Sequence, residues 1–194
     1  MPRKNLIRTD QFPYHIYSRS NNRAFFPLPT NELWEIFTER LYSARKKFSV
    51  NIYSFALMSN HYHLLIQTPN ADIDKVMHDF SHKLSLEILK RTNSINRIFG
   101  GRYKWSLIRG DQHFATVYRY ILQNPLRAGL VQKVEQYPYT SLHFSAAQLT
   151  PPPLSDCLGN KDLDVWLNET NESACEIEKG LKKTIFKPVH LRSY

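Results

Sequence analysis

The chain has 194 residues, 42% of them hydrophobic and 13% aromatic, with only 6 glycines. This composition excludes a low-complexity or largely disordered protein and is enough for one well-cored domain plus an appendage. The net charge of +9 lies in the first part of the chain: residues 1–143 carry 20 Lys and Arg against 10 Asp and Glu, and residues 144–194 carry 6 against 7. Such an excess favours a polyanionic partner, most often nucleic acid.

The two cysteines, Cys157 and Cys175, lie outside any Cys-x-x-Cys or Cys/His cluster, so we expect reduced thiols and no disulfide framework. The first eleven residues are charged and contain no apolar signal segment. No apolar run approaches the ~20 residues of a membrane span. These features predict a cytoplasmic protein.

The N-terminal part begins with a predicted strand and a predicted helix. Residues 13–19 alternate in part, with His15, Tyr17 and Arg19 on one face, which predicts a strand. An apolar stripe at helical spacing predicts a helix that runs from an N-cap at Thr30 to about residue 48.

A predicted hairpin, a second helix and a fourth strand follow. The apolar runs 50–58 and 61–68 are separated by a tight break, which favours two strands in a hairpin. Apolar positions at helical spacing predict a helix over 72–90, and residues 105–108 are predicted to form the fourth strand. The order βαββαβ indicates an α+β sandwich of ferredoxin-like type with an antiparallel sheet.

A third helix is predicted from Asp111 to about Asn124, where Pro125 discourages its continuation. At about 100° per residue, Tyr118 falls in the buried stripe and Tyr120 falls on a polar side. Tyr120 and Asn124 are separated by one helical turn, so a phenol and an amide are presented together on that side.

The prolines at 151–153 are the one clear linker signal. They predict a main domain over residues 1–148 and a C-terminal extension over 149–194. Weak helices are predicted in the extension at 162–167 and 174–184.

Two histidines stand two residues apart at the start of the third strand. Because alternate residues of a strand share a face, His61 and His63 are predicted to project together while Tyr62 faces the core. Two neutral imidazoles side by side can hold a divalent metal ion. An isolated His-x-His more often has no special role, so the pattern alone leaves both interpretations open.

Four motifs follow one another between residues 10 and 145. They are Tyr14-His15-Ile16 with Arg19-Ser20-Asn21-Asn22-Arg23, Asn60-His61-Tyr62-His63, Gly101-Arg102-Tyr103-Lys104, and the run from Tyr120 through Asn124-Pro125-Leu126-Arg127 to Val131. In this order and spacing the chain resembles the REP-associated tyrosine transposases, which are relatives of the single-tyrosine HUH transposases of small bacterial insertion sequences.

The resemblance implies a metal-dependent single-stranded DNA endonuclease and strand transferase that acts on hairpins formed by short palindromic, REP-like repeats. It implies that Tyr120 is the nucleophile of a covalent 5′-phosphotyrosine intermediate. It also implies that His61, His63 and Asn124 hold Mg²⁺ or Mn²⁺. Gln123 stays open as a competing third ligand, and a homodimer in which the tyrosine acts across subunits stays open as well.

Basic and aromatic residues flank the proposed site. Tyr103 or Trp105 is a candidate for stacking on a base, His113 is a candidate for a supporting role, and His15 could equally be a core histidine. The candidate DNA-binding residues are Arg19, Asn22, Arg23, Arg102, Lys104 and Arg127.

Two other functions are open from the sequence. One is a non-catalytic, domesticated protein that binds single-stranded or hairpin nucleic acid with the same sheet. The other is a metal hydrolase in which the paired histidines activate water. The presence of both histidines together with Tyr120 and Asn124 argues against the first, and the lack of a further His or acidic ligand in the neighbouring sequence argues against the second.

Overall fold

The computed structural model describes residues 5–169 and 174–187. Outside the described residues lie 1–4 of the N-terminal segment and, in the predicted extension, 170–173 and 188–194. The strands are β1 (Tyr14–Arg19), β2 (Asn51–Leu57), β3 (His61–Gln67) and β4 (Lys104–Leu107). The helices are α1 (Thr30–Phe48), α2 (Ile73–Thr92), α3 (Asp111–Leu122), α4 (Asn124–Arg127), α5 (Ser155–Leu158), α6 (Leu163–Asn168) and α7 (Ala174–Leu181).

The four strands form one antiparallel sheet in the order β2-β3-β1-β4. The helix α1 connects β1 to β2, and α2 connects β3 to β4. This topology confirms the predicted ferredoxin-like sandwich. The predicted hairpin is the β2–β3 pair, whose register shifts between Ile52 and Ser54.

The predicted helix start at Thr30 is wrong in one detail. Thr30 is the first residue of α1, Pro29 occupies the N-cap position, and no side chain caps the helix. The proline ring fixes φ (−52°), and with ψ at 144° Pro29 has the extended conformation that suits the position just before a helix, so no hydroxyl cap is needed to set the entry angle.

One face of the sheet is covered by α1 and α2. Tyr62 is fully buried there, with its ring centroid 5.3 Å from that of Phe37 and 5.8 Å from that of Phe80. The predicted core-facing orientation of Tyr62 is therefore confirmed. Because the strand alternates, His61 and His63 face the opposite side of the sheet.

The opposite face carries α3 and parts of the C-terminal extension. Ile121 of α3 lies in one buried apolar cluster with Leu65 of β3, and Leu167 and Phe186 of the extension belong to the same cluster. The Phe186 amide also donates to the Leu107 carbonyl of the edge strand β4 at 2.8 Å. The described parts of the extension thus belong to the same apolar core as α3. The domain boundary after residue 148 stays a prediction.

The end of α3 differs from its prediction. The helix ends at Leu122, and Gln123 keeps a helical conformation before α4 begins at Asn124. Pro125 lies in the first turn of α4, where a missing backbone N–H costs no helical hydrogen bond. In the part of the chain that is described, no helix has both the length and the apolarity needed to span a bilayer.

Candidate active site

The two histidines of β3 lie side by side on the face that α3 covers. β3 is an inner strand, and there His63 pairs with Tyr17 and His61 with Arg19 on β1. The ring centroids of His61 and His63 are 5.2 Å apart, and the Tyr17 ring lies 5.5 Å and 5.0 Å from them. The strand alternation therefore produces the pair of imidazoles that the sequence predicts.

His61 is held by its neighbour in the sequence. The Asn60 amide nitrogen donates to the Arg23 carbonyl at 3.1 Å, which turns the amide oxygen toward His61 Nδ1 at 2.7 Å. Since an amide oxygen only accepts, Nδ1 carries the proton of the neutral ring and Nε2 carries the lone pair. Burial lowers the pKa of His61, which favours this neutral form, and the Asn124 side chain lies within hydrogen-bond reach of the ring.

His63 lies deeper than His61. Its Nδ1 is 2.8 Å from Nε2 of His15 on β1, and the two rings stack with centroids 5.1 Å apart. Burial lowers the pKa of His15 to about 3 and that of His63 well below its ordinary value. Both rings are therefore neutral at physiological pH, and His63 keeps Nε2 for another partner.

Tyr120 points from α3 onto these histidines. Its ring centroid is 5.7 Å from that of His63 and 6.2 Å from that of His15. The sequence places Tyr118 in the buried stripe and Tyr120 on a polar side of the helix, yet both residues are buried, with exposed fractions of 6% and 5%. The polar side of α3 faces the side of the sheet that carries the histidines. Polar residues of α3 are therefore buried against polar residues of the sheet.

The Tyr120 phenol is subject to opposing effects. Burial raises its pKa most, the Arg127 guanidinium, 4.0 Å from the ring centroid, lowers it, and the Glu178 carboxylate of α7 raises it; burial prevails and the pKa is about 12. The phenol is therefore protonated at neutral pH. Arg127 Nη2 also donates to the Tyr120 carbonyl at 2.6 Å, whereas its buried Nη1 has no hydrogen-bond partner among the described residues.

The structure separates the two amides that compete for the third ligand position. Gln123 is buried, and its Nε2 donates to the carbonyls of Leu167 and Glu169, both at 2.8 Å. The Asn124 side chain instead lies within hydrogen-bond reach of both His61 and Tyr120. Asn124 is therefore the amide that lies beside His61 and Tyr120.

Most of the predicted DNA-binding residues line one surface cavity of about 410 Å³, which Tyr17 also lines. They are Arg19, Asn22, Arg23, Arg102 and Lys104. Arg127 lies apart from them, over Tyr120. The four cationic side chains give this cavity a positive charge, which favours contact with phosphate groups.

Three other candidates differ in accessibility and position. Trp105 is buried with its ring edge toward Tyr14, so it is not accessible for stacking on a base, whereas Tyr103 is partly exposed beside Arg102. The His113 ring contacts Phe186 of the extension at a centroid distance of 5.3 Å.

Sequence reasoning left the roles of His15 and Tyr17 open or unassigned. Both lie on the same face of β1 as Arg19, and β1 pairs with β3, the strand that carries His61 and His63. The strand order would have identified them as neighbours of the two histidines.

The side chains present fit a divalent metal ion. Each of the two histidines has a hydrogen-bonded Nδ1 and an Nε2 left over, and Asn124 can add an amide oxygen. This neutral set of two nitrogens and one oxygen leaves coordination positions for phosphate oxygens. Among the described residues there is no cluster of three or more His, Cys, Asp or Glu side chains arranged for a metal ion.

Residues 8–124, from the segment before β1 to Asn124, match the sequence profile of the family described as Transposase IS200 like. The fold and the matched region place the protein in the class of transposases, enzymes that nick and join DNA. Because the match spans more than half of the sequence, the chain belongs to the IS200-like transposase family.

Two known proteins are similar to this chain. A Haemophilus influenzae protein assigned as a REP-associated tyrosine transposase is 29% identical over an alignment 124 residues long, and the alignment covers 58% of this chain and 69% of the relative. A solved structure of a REP-associated tyrosine transposase bound to a REP hairpin has a TM-score of 0.66 at 17% identity, and the match covers 78% of this chain and 89% of that one. At this identity the second likeness concerns the fold. The predicted resemblance to REP-associated tyrosine transposases is confirmed.

Proposed function

We propose that this transposase is a metal-dependent single-stranded DNA endonuclease and strand transferase that acts on hairpin DNA through a covalent 5′-phosphotyrosine intermediate. The observation that carries the proposal is the convergence of Tyr120, Asn124 and the two histidines of β3 between α3 and the sheet. The fold shared with a relative bound to a REP hairpin supports hairpin DNA as the substrate class.

In the proposed reaction, Tyr120 Oη forms a bond to the scissile phosphorus while the bond from phosphorus to the 3′ oxygen breaks. The phenolic proton is released to solvent, and the departing oxygen takes up a proton to become a 3′-hydroxyl. The phosphotyrosine conserves the energy of the phosphodiester, so a 3′-hydroxyl of the same or another strand can reverse the step without ATP.

His61, His63 and Asn124 would hold the divalent ion, Mg²⁺ or Mn²⁺. When bound, the ion supplies Lewis-acid polarisation of the scissile phosphate. The Tyr120 phenol starts protonated, so it needs stabilisation as negative charge develops on its oxygen. Arg127, which lies over the ring and has a free Nη1, is the cation that provides it.

The nucleophile and the three proposed ligands come from one chain, so the proposed chemistry needs no second copy. All of them lie in the proposed domain of residues 1–148. The cationic cavity, which is lined in part by Tyr17 next to the histidines, would bind phosphates of the DNA strand that leads to the cleaved bond. With DNA as the proposed substrate, we propose that the activity takes place in the cytoplasm.

The test uses the full chain with end-labelled single-stranded hairpin DNA and Mg²⁺ or Mn²⁺, and it measures an adduct that survives SDS. Tyr120→Phe is expected to abolish the adduct. Tyr118→Phe is the matched control, since it removes the hydroxyl of an equally buried phenol on the same helix, and it should leave the adduct intact.

Other outcomes identify the rival functions. Binding of the hairpin without cleavage would indicate the non-catalytic nucleic-acid-binding protein. Cleavage that survives in the Tyr120→Phe variant would indicate a metal hydrolase and would contradict the nucleophile assignment.

A further inference from the structure

A third imidazole lies behind the proposed metal ligands and has no part in the reaction described above. His15 is at the second position of β1, buried, with its Nε2 2.8 Å from His63 Nδ1. The two rings are nearly parallel, with an interplanar angle of 26°. His15 differs from an apolar core residue, because its one side-chain hydrogen bond within the described part of the chain joins it to a proposed metal ligand.

The contact restricts how His63 can bind a cation. Two neutral imidazoles share one proton between the two facing nitrogens. If the proton belongs to His15 Nε2, then His63 carries its own proton on Nε2 and has no lone pair for a metal ion. If the proton belongs to His63 Nδ1, then His63 Nε2 is a lone pair that faces away from His15. Only the second arrangement makes His63 a ligand.

We propose that His15 is a positioning residue, which accepts a hydrogen bond from His63 Nδ1–H and so fixes the ring orientation and tautomer in which His63 Nε2 can bind a divalent cation. The proposal rests on the metal site of the proposed function. A carbonyl or carboxylate commonly does this for a metal-binding histidine, and here a second imidazole does it.

The same arrangement occurs at the other histidine. His61 Nδ1 faces the Asn60 amide oxygen at 2.7 Å, and the Asn60 amide is itself held by the Arg23 carbonyl. Each proposed ligand therefore has an acceptor behind Nδ1, one supplied by a loop residue and one by the neighbouring strand. The Asn60–His61 contact is an observation independent of the contact between the two buried rings.

The alternative that His15 is itself a third ligand does not fit the structure. Its Nε2 is engaged with His63, and the described residues contain no group of three or more His, Cys, Asp or Glu side chains arranged for a metal ion. A second alternative is that His15 only fills space in the core. That alternative predicts no effect on the tautomer of His63.

The test compares two substitutions in the full chain. His15→Phe keeps an aromatic ring and removes the acceptor, while His15→Gln keeps an acceptor oxygen. Tyr14→Phe is the control, since it changes the residue just before His15 on β1. Tyr14 faces the other side of the sheet, and its hydroxyl donates to the Ile7 carbonyl. Thermal unfolding of each variant shows whether it is folded.

The first readout is the Mn²⁺ affinity, measured by calorimetry without DNA. We expect His15→Phe to weaken it by about 10- to 100-fold, with most of the affinity retained in His15→Gln and all of it in Tyr14→Phe. An affinity in folded His15→Phe within about twofold of the wild type would overturn the proposal.

The second readout is the tautomer of His63, measured by ¹⁵N NMR on the metal-free protein. We expect the proton on Nδ1 in the wild type and a shift toward the Nε2–H form in His15→Phe. A wild-type His63 protonated on Nε2 would overturn the proposal. A wild type that binds no Mn²⁺ would instead contradict the proposed function, and the tautomer would still decide the role of His15.

Discussion

At the scale of single residues, the cation over the nucleophile is the contact with the sharpest consequence. Arg127→Ala removes both the charge over the Tyr120 ring and the hydrogen bond to its carbonyl, so we expect the single-turnover rate of adduct formation to fall by about 100-fold. Arg119→Ala is the matched control, because Arg119 stacks on Trp166 instead. Equal loss of rate in the two variants would show that Arg127 acts only through stability.

The neighbouring amides Gln123 and Asn124 provide a second test at this scale. Asn124→Ala should weaken Mn²⁺ binding by tenfold or more, on the order of what loss of a ligand or its support costs. Gln123→Ala should leave Mn²⁺ binding near the wild-type value and lower the melting temperature, because it deletes one buried and one partly buried hydrogen bond to the extension. Calorimetric titration and thermal unfolding distinguish them, and the reverse pattern would assign the ligand to Gln123.

Whether the environment of a residue could be predicted from the sequence depends on how far along the chain its contact partners lie. The shared face of His61 and His63 follows from strand alternation alone. The burial of Tyr120 could not be predicted in this way. Helical periodicity separates polar from apolar faces, but it cannot show that the polar face of a helix packs against a polar surface of the sheet. Likewise, the partners of Gln123 are carbonyls more than forty positions away, which no local pattern reveals.

At the scale of elements, the short helix α6 is expected to be a structural support for α3. Leu167 of α6 is fully buried in the cluster that contains Ile121, whereas Val165 on the same helix is exposed. Leu167→Ala should lower the free energy of unfolding by about 2–5 kcal/mol, and Val165→Ala should change it by less than about 0.5 kcal/mol. Urea denaturation measures both, and equal small effects would mean that the extension contributes little to the core.

The order of the elements was predictable and some of their ends were not. Alternating and helical apolar patterns indicated all four strands and the three long helices, because each element buries one regular face. The local chemistry at the ends was less decisive: Pro29 takes the cap position expected of Thr30, and Pro125 starts a helical turn after α3. Proline is compatible both with the N-cap position and with the first turn of a helix. A proline alone therefore does not show where the preceding helix ends.

At the scale of the whole molecule, the positive charge should act through the cavity beside the histidines. Arg102→Gln is expected to weaken hairpin binding and to reduce the slope of log affinity against log salt concentration by roughly one. Lys182→Gln changes the same charge in the extension, outside the cavity, and should leave the slope unchanged. Fluorescence anisotropy over a salt series gives both slopes. Equal slopes for the two variants would mean that the net charge, not the cavity, attracts the DNA.

The central claim is that one particular phenol attacks the DNA. The most direct measurement is mass spectrometry of the covalent adduct after nuclease trimming and proteolysis, which identifies the peptide and residue that carry the remaining nucleotide. We predict a single modified residue, Tyr120, joined to a 5′ phosphate. A nucleotide on Tyr118, on Tyr17 or on any other residue would contradict the account.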